Sequence, residues 1–181
     1  YGYLSRPLQL ASYIAAKTTR ICVGTAVIVV PLHHPLVIAE EIAMLDVLSG
    51  GRTDVGLGRG YQRYEFERFG LKLDSGSPRW DESLDILLKA FDGKPFSYHG
   101  KVFDIAETAI YPKPVQKPRP PIWITAQSEF SIEAAARRGL NVLTGGFGVS
   151  VARLAEFGKL FNKAVAETKA SGRPLVGVQR A

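Results

Sequence analysis

RICVGTAVIVVPLHHPLVIAEEIAMLDVLSGGRTDVGLGRG, residues 20–60, reads as strand, helix, strand, and it decides the fold class. Arg20 to Val30 is β-branched and apolar on both faces, the pattern of a strand covered on both sides. Cys22 falls inside that run and is expected as a buried, inert thiol. Pro35 opens a helix over Leu36 to Leu48, with Glu40, Glu41 and Asp46 on its polar side. Gly50-Gly51 stops it, as glycine commonly does after a helix. Asp54 to Gly58 then supplies a short second strand. A strand, a crossover helix and a strand predict a parallel pair.

The alternation continues outward. Before the stretch, Ser5 caps a helix with Pro7 in its first turn, and Leu8, Leu10, Ala11, Ile14 and Ala15 form its apolar face. After it, a polar-aromatic turn over Tyr61 to Phe69 leads to a helix opening at Pro78. Trp80, Leu84, Leu87, Leu88 and Phe91 repeat there at helical spacing. Phe96 to Ile110 alternates around His99-Gly100 as a β-hairpin. Pro112 to Pro121 (PKPVQKPRPP) has five prolines in ten residues and reads as a stiff extended connector. Ile122 to Ala126 is a strand, Ser128 to Arg138 a helix stopped by Gly139, and Asn141 to Thr144 a strand. Val151 to Ala170 is a long helix with Leu154, Phe157, Phe161 and Ala164 inward, ending at Ser171-Gly172, and Leu175 to Val178 starts a further strand. Periodicity does not choose between a doubly wound sheet and a (β/α)₈ barrel. A whole barrel takes about 250 residues, so 181 residues hold only part of one.

Composition narrows the class. With 46% hydrophobic and 22% charged residues, the chain is ordinary for a soluble globular protein. Its longest apolar run, Ala26 to Pro31, is far short of the ~18–20 residues of a membrane span. The first twenty residues do not read as a secretory signal, because Arg6, Gln9, Lys17 and Arg20 interrupt them. The expectation is a cytoplasmic protein with no membrane partner. A single cysteine excludes a disulfide framework and a zinc ribbon. The net charge of +6 is scattered rather than gathered in a stripe with interleaved aromatics, so nucleic acid is not expected as a partner. The chain begins with Tyr1 and ends at Ala181 inside a β run, which suggests a domain truncated at both ends.

In either architecture ligands bind at the C-terminal ends of the strands, which selects four loops. Gly56-Leu57-Gly58-Arg59-Gly60 combines close backbone approach with a permanently charged fork suited to phosphate, competing with a plain tight turn. It is not a dinucleotide fingerprint, because Tyr61 stands where GxGxxG needs a small residue. Ala126-Gln127-Ser128-Glu129-Phe130-Ser131 places two serines at a helix N-terminus, suited to phosphate or to simple capping. His33-His34 lacks further metal ligands at usable spacing; His34 before Pro35 reads as N-cap-like, with a pocket-lining role for one of the pair. Thr144 to Gly148 is the fourth loop. No Ser-His-Asp arrangement or nucleophile elbow is present.

The stretch from Arg20 to Gly70, with the string Leu45 to Gly60 (LDVLSGGRTDVGLGRG) as its most specific part, resembles the bacterial luciferase-like flavin-dependent monooxygenases. PPIWITAQSEFSIEAAARRGLNVLTGG continues the resemblance in order, so essentially the whole chain is covered as one luciferase-like domain, 1–181. The resemblance implies a partial (β/α)₈ TIM barrel, from about helix 2 to the start of strand 7. The hairpin excursion then lies between helix 4 and strand 5.

Site roles follow from the same resemblance. Ala26 and Val27 match a strand-end pair that supports the flavin ring, in the family often through a non-proline cis peptide. Arg59, between Gly58 and Gly60, matches an arginine gripping the FMN phosphate, and Ser128 and Ser131 match its hydroxyl and helix-N-terminus partners. Ala126, Gln127 and Gly145 complete the cofactor set. Gln127 stands where luciferase has a glutamate, and Gly145-Gly146 replaces a bulkier pair and would open the pocket. His34 matches a pocket-side histidine. The family's catalytic histidine lies upstream of residue 1, so no catalytic residue is assigned within the chain, and His33-His34 is a different pair. The implied activity uses reduced FMN from a separate flavin reductase, and O₂, to oxygenate a small organic molecule of aldehyde, hydrocarbon or sulfonate type. A homodimer, through a face of the Glu40–Asp46 helix, is also implied. Alternatives are an F420-dependent hydride-transfer oxidoreductase of the same superfamily and a non-catalytic flavin-binding protein. Alone, the chain is expected to be inactive and to aggregate through exposed sheet edges.

Overall fold

A computed structural model of the protein describes residues 6–146, 148–168 and 174–179. Its contacts divide it into two compact units, Tyr1–Pro120 and Pro121–Ala181.

In the first unit α1 spans Pro7–Lys17, with proline in its first turn and Lys17 in its last. Leu8, Ala11 and Ala15 are buried, whereas Leu10 is 43% exposed, so the inward face is narrower than the spacing predicts. The expected Ser5 cap lies outside the described residues. β1 (Val23–Gly24) and β2 (Ile28–Val29) both run parallel to β3 (Thr53–Gly58). Arg20 to Val30 is therefore not one continuous strand. Gly24 pairs with Asp54 and Ile28 with Leu57, so residues 25–27 face only residues 55 and 56, a bulge. The Ala26–Val27 peptide inside it is cis. Thr25 fastens the bulge: its hydroxyl donates to the Gly56 carbonyl (2.9 Å) and accepts from the Gly56 N–H (3.2 Å). A Cβ on Gly56 would lie 1.9 Å from the Thr25 carbonyl oxygen, so no larger residue fits there. Ahead of β1, Cys22 is exposed, against expectation, because ladder pairing begins only at Val23.

A short 3₁₀ turn (Val30–Leu32) leads to α2, Pro35–Ser49. Gly50 follows it in the left-handed region (φ 66°), the predicted stop. Ile38, Ile42 and Leu45 are wholly buried, each contributing about 1.5–3 kcal/mol of apolar transfer. Asp46, expected on the solvent side, is also wholly buried. It accepts from the Gln116 backbone N–H (2.9 Å) and side-chain amide (2.6 Å), and that amide also donates to the Thr53 carbonyl (2.8 Å). Asp46 thus ties the proline-rich connector to α2 and β3.

After β3 come α3 (Arg63–Glu67), a 3₁₀ turn (Leu73–Ser75) and α4 (Gly76–Phe91), which starts two residues before the predicted Pro78. Leu84, Ile86, Leu87 and Phe91 are buried, while Trp80 and Leu88 are half-buried. β4 (Phe96–His99) and β5 (Asp104–Thr108) form the expected antiparallel hairpin. Ile86 packs with Phe103 and Ile105 of that hairpin. Glu82 of α4 clamps the hairpin turn, accepting from the N–H groups of Lys101, Val102 and Phe103 at 2.8–3.1 Å. Residues 109–120 carry no helix or strand, as a proline connector should.

The second unit has the same grammar. β6 (Ile122–Thr125), β7 (Asn141–Gly145) and β8 (Val176–Gln179) are parallel, in that order. α5 (Glu129–Arg137) and α6 (Val151–Ala166) connect them. Ile132, Ala136, Leu140, Val142 and Phe161 are at most 2% exposed. α6 ends at Ala166, ahead of the predicted Ala170, and the predicted terminator Ser171-Gly172 lies outside the described residues. No helix among the described residues is long and apolar enough to cross a membrane.

Candidate functional site

β3 delivers Gly58, Arg59 and Gly60 at its C-terminal end. Gly60 has φ 80°, and a Cβ there would meet Val29 Cγ1 at 2.5 Å and the wholly buried Phe66 ring at 3.0 Å. Gly76, the first residue of α4, lies against the same ring, at 3.0–3.1 Å for a Cβ. Phe66 therefore seats both the Arg59 turn and the start of α4 through two residues without side chains. Arg59 is exposed, and its guanidinium donates to the Ser77 hydroxyl at 3.3 Å, leaving further donors for a ligand. The cis Ala26–Val27 peptide lies just ahead of β2, which pairs with the same β3.

The histidine pair is split by its backbone. His34 is the N-cap of α2, its Nδ1 accepting from the Leu36 N–H at 3.3 Å, and its ring meets Phe103 edge-on at 5.6 Å. That outcome matches the N-cap reading of His34. His33 instead lines a cavity of about 350 Å³ with Arg6, Leu8, Ile38, Met44 and Tyr111 among others. His34 does not line it, because its ring is committed to the cap and to Phe103. Burial, with Arg6 nearby, holds the His33 imidazole below its usual pKa, favouring the neutral ring. Among the described residues no three His, Cys, Asp or Glu side chains gather as metal ligands. Arg79, which the sequence did not single out, donates to the Pro31 carbonyl (2.9 Å) and lies 5.1 Å from the centre of the Phe103 ring.

In the second unit, β6 ends at Thr125, and Ser128 caps α5 in a full capping box. Ser128 Oγ accepts from the Ser131 N–H (3.3 Å), while Ser131 Oγ accepts from the Ser128 N–H (3.1 Å). The two hydroxyls are 2.8 Å apart, and that of Ser131 also donates to the Ser128 carbonyl. The N–H groups of Glu129 and Phe130 have no partner within the helix and point past its N-terminus. Gln127 donates from its amide to the Gly145 carbonyl at 3.0 Å, linking the ends of β6 and β7. Gly145 and Gly146 have φ 104° and 116°, so the backbone itself selects glycine there, beyond the added space. The Thr144 hydroxyl at the end of β7 is buried with no hydrogen-bond partner among the described residues. Within the second unit, hydroxyls at a helix N-terminus and an orphaned hydroxyl at the next strand end are donors of the kind a phosphate takes. Within the first unit, taken by itself, the glycine-seated Arg59 offers a guanidinium fork of the same use.

The parallel strands and crossover helices are those of part of a (β/α) barrel. The chain belongs to the luciferase-like monooxygenase family, whose model matches residues 1–181. It is 41% identical over 142 residues to the protein y4vJ of Sinorhizobium fredii, covering 78% of this chain and 40% of that protein. It is 35% identical over 131 residues to the oxygenase component of flavin-dependent trigonelline monooxygenase from Acinetobacter baylyi, covering 71% of this chain and 36% of that protein. The chain thus spans less than half the length of these curated relatives. Among solved structures, monooxygenase RslO1 from Streptomyces bottropensis superposes with a TM-score of 0.89 at 28% identity, over 96% of this chain and 54% of that one. Two more distant structures share the fold. The oxygenating constituent of 3,6-diketocamphane monooxygenase from Pseudomonas putida, in complex with FMN, has TM-score 0.80 at 22% identity, over 94% of this chain and 51% of that one. The F420-dependent tetrahydromethanopterin reductase of Methanopyrus kandleri has TM-score 0.68 at 22% identity, over 86% of this chain and 50% of that one. Together these make the chain part of a (β/α)₈ barrel of this family.

Proposed function

We propose that the protein is a flavin-dependent monooxygenase that binds reduced FMN, supplied by a separate reductase, and uses O₂ to oxygenate a small organic molecule. The family match over residues 1–181 carries this reading. Reduced flavin supplies the electrons that activate O₂ when it is bound; the protein's work is to hold and orient the cofactor and keep water away.

In this reading Arg59 takes a phosphate oxygen with its planar fork, its turn kept tight by Gly58 and Gly60. Ser128, Ser131 and the free N–H groups of the first turn of α5 also bind phosphate. Ala26 and Val27 support the ring with backbone atoms, and Ala126, Gln127 and Gly145 line it. With its N–H₂ group on the Gly145 carbonyl, Gln127 offers a neutral side chain where luciferase has a carboxylate. The Gly145-Gly146 pair opens the pocket and argues against luciferase's own substrate preference, within a range of aldehyde, hydrocarbon, sulfonate or similar small organic molecules. His34 acts on the α2 start rather than as a proton carrier. Homodimer formation through α2 accords with its outer stripe, where Val37, Met44 and Leu48 are 50%, 46% and 58% exposed.

Anaerobic titration with reduced FMN, followed by O₂ consumption, tests the reading on the intact protein. Tight binding with O₂ uptake supports it; no binding at micromolar protein overturns it. The F420-dependent relative favours a second reading, hydride transfer with a deazaflavin, for which reduced F420 would bind and no O₂ would be consumed.

A further inference from the structure

The first turn of α5 carries an inconsistency if it is to receive a phosphate. Glu129, directly after the Ser128 cap, places a carboxylate beside free N–H groups that would face a dianion. Such a residue stabilises the helix by itself but repels the ligand. α6 supplies an answer. Arg153 reaches Glu129 with one guanidinium nitrogen (3.5 Å) and Glu156 with another (2.8 Å). Its carbon lies 4.6 Å from the centre of the Phe157 ring, so a wall of its own helix holds the side chain. Lys159 and Lys163 line the same groove, so its three cations slightly outweigh the carboxylates of Glu129 and Glu156.

We propose that Arg153 is a positioning residue for the phosphate end of the flavin, acting through Glu129, whose charge it draws off and offsets. The proposal rests on the reading that α5 receives the phosphate. Arg153 itself touches no ligand in this account. Its effect is electrostatic, so it should act on FMN and not on riboflavin, which has the same ring and no phosphate. An exposed charge pair beside the first turn of α5, in solvent-rich surroundings, sets the scale at about threefold to tenfold in affinity.

Anaerobic calorimetry of the intact protein with reduced FMN and reduced riboflavin provides the test. R153Q should weaken FMN by about threefold to tenfold and leave riboflavin unchanged. R153K should restore most of the loss. E129Q should bind FMN at least as well as wild type, and R153Q added to E129Q should cost clearly less than R153Q alone. Equal losses for FMN and riboflavin would make Arg153 a structural residue and overturn the proposal. A full loss persisting in the E129Q background would mean that Arg153 acts on phosphate directly, which also overturns it, as does no effect of R153Q. Wild-type protein that binds FMN no tighter than riboflavin would remove the phosphate reading itself, and this proposal with it.

Discussion

Arg52 shows how much one side chain can hold in place. It donates to the carbonyls of Ser49 (2.8 Å), Ile21 (2.5 Å), Ala15 (3.0 Å) and Thr18 (2.9 Å). Those carbonyls include the ends of α1 and α2, where a cation also complements the helix dipoles. Lysine cannot reproduce the fork. R52K should cost about 2–4 kcal/mol in denaturant unfolding of the intact protein; a loss below about 0.5 kcal/mol, the level of a surface contact, would contradict this account. Glu82 gives a pH prediction. Its carboxyl is held below the usual value: burial raises it, but the N–H groups of Phe103, Val102 and Lys101 and the Lys101 charge outweigh that. A lowered folded value means that its contribution is complete above the unfolded pKa of 4.5 and fades as pH falls through the folded one. E82Q should therefore melt below wild type at neutral pH, with the gap closing in strong acid; a gap independent of pH would refute it. Neither role was legible in the sequence, nor was the burial of Asp46. Their partners lie far along the chain, Gln116 being 70 residues from Asp46, and local pattern carries no trace of such pairings.

At the scale of elements, starts and stops read most clearly. Pro35, Gly50, Ser128 and Gly139 act through their own backbone conformation or nearest turn, which a sequence displays directly. The run Arg20 to Val30 misled because a bulge is made by the facing strand. Gly56 lets Thr25 approach, and that approach splits one strand into β1 and β2. Cys22 and Ile21 are exposed for the related reason that pairing starts late. The α5 cap supports a prediction at this scale. With nine residues, that helix depends on its first turn. S128A should loosen α5 by about 1 kcal/mol, seen as faster amide exchange in its first two turns. Unchanged exchange would show that packing of Ile132 and Ala136 holds the helix without its cap.

For the whole molecule, the alternation of elements made the α/β class legible, and length pointed to part of a barrel. The division into two units was not foreseen, although its boundary falls within the proline-rich run. The strand-end loops were legible as places for a ligand, and the roles given to their residues rest on the resemblance. Of the histidine pair, His34 took the N-cap place its sequence position suggested, while His33 leaves the same turn in another direction, into the cavity beside α1 and α2. As 181 residues on its own, the chain exposes Val37, Met44 and Leu48 along α2, Ile21 before β1 and Phe130 on α5. It should self-associate in sedimentation and melt broadly; a monomer with one sharp transition would contradict this. The signature from Leu45 to Gly60 spans both ends of β3. Asp46, Ser49 and Arg52 serve the start of that strand, joining helix ends and connector, while Gly56 and Gly60 allow the close backbone approach at its far end, where the proposed function puts the ligand. Under the proposed function, one half of the motif is architecture and the other is chemistry. A protein could keep the first half intact, pass as kin by its letters, and have lost its trade.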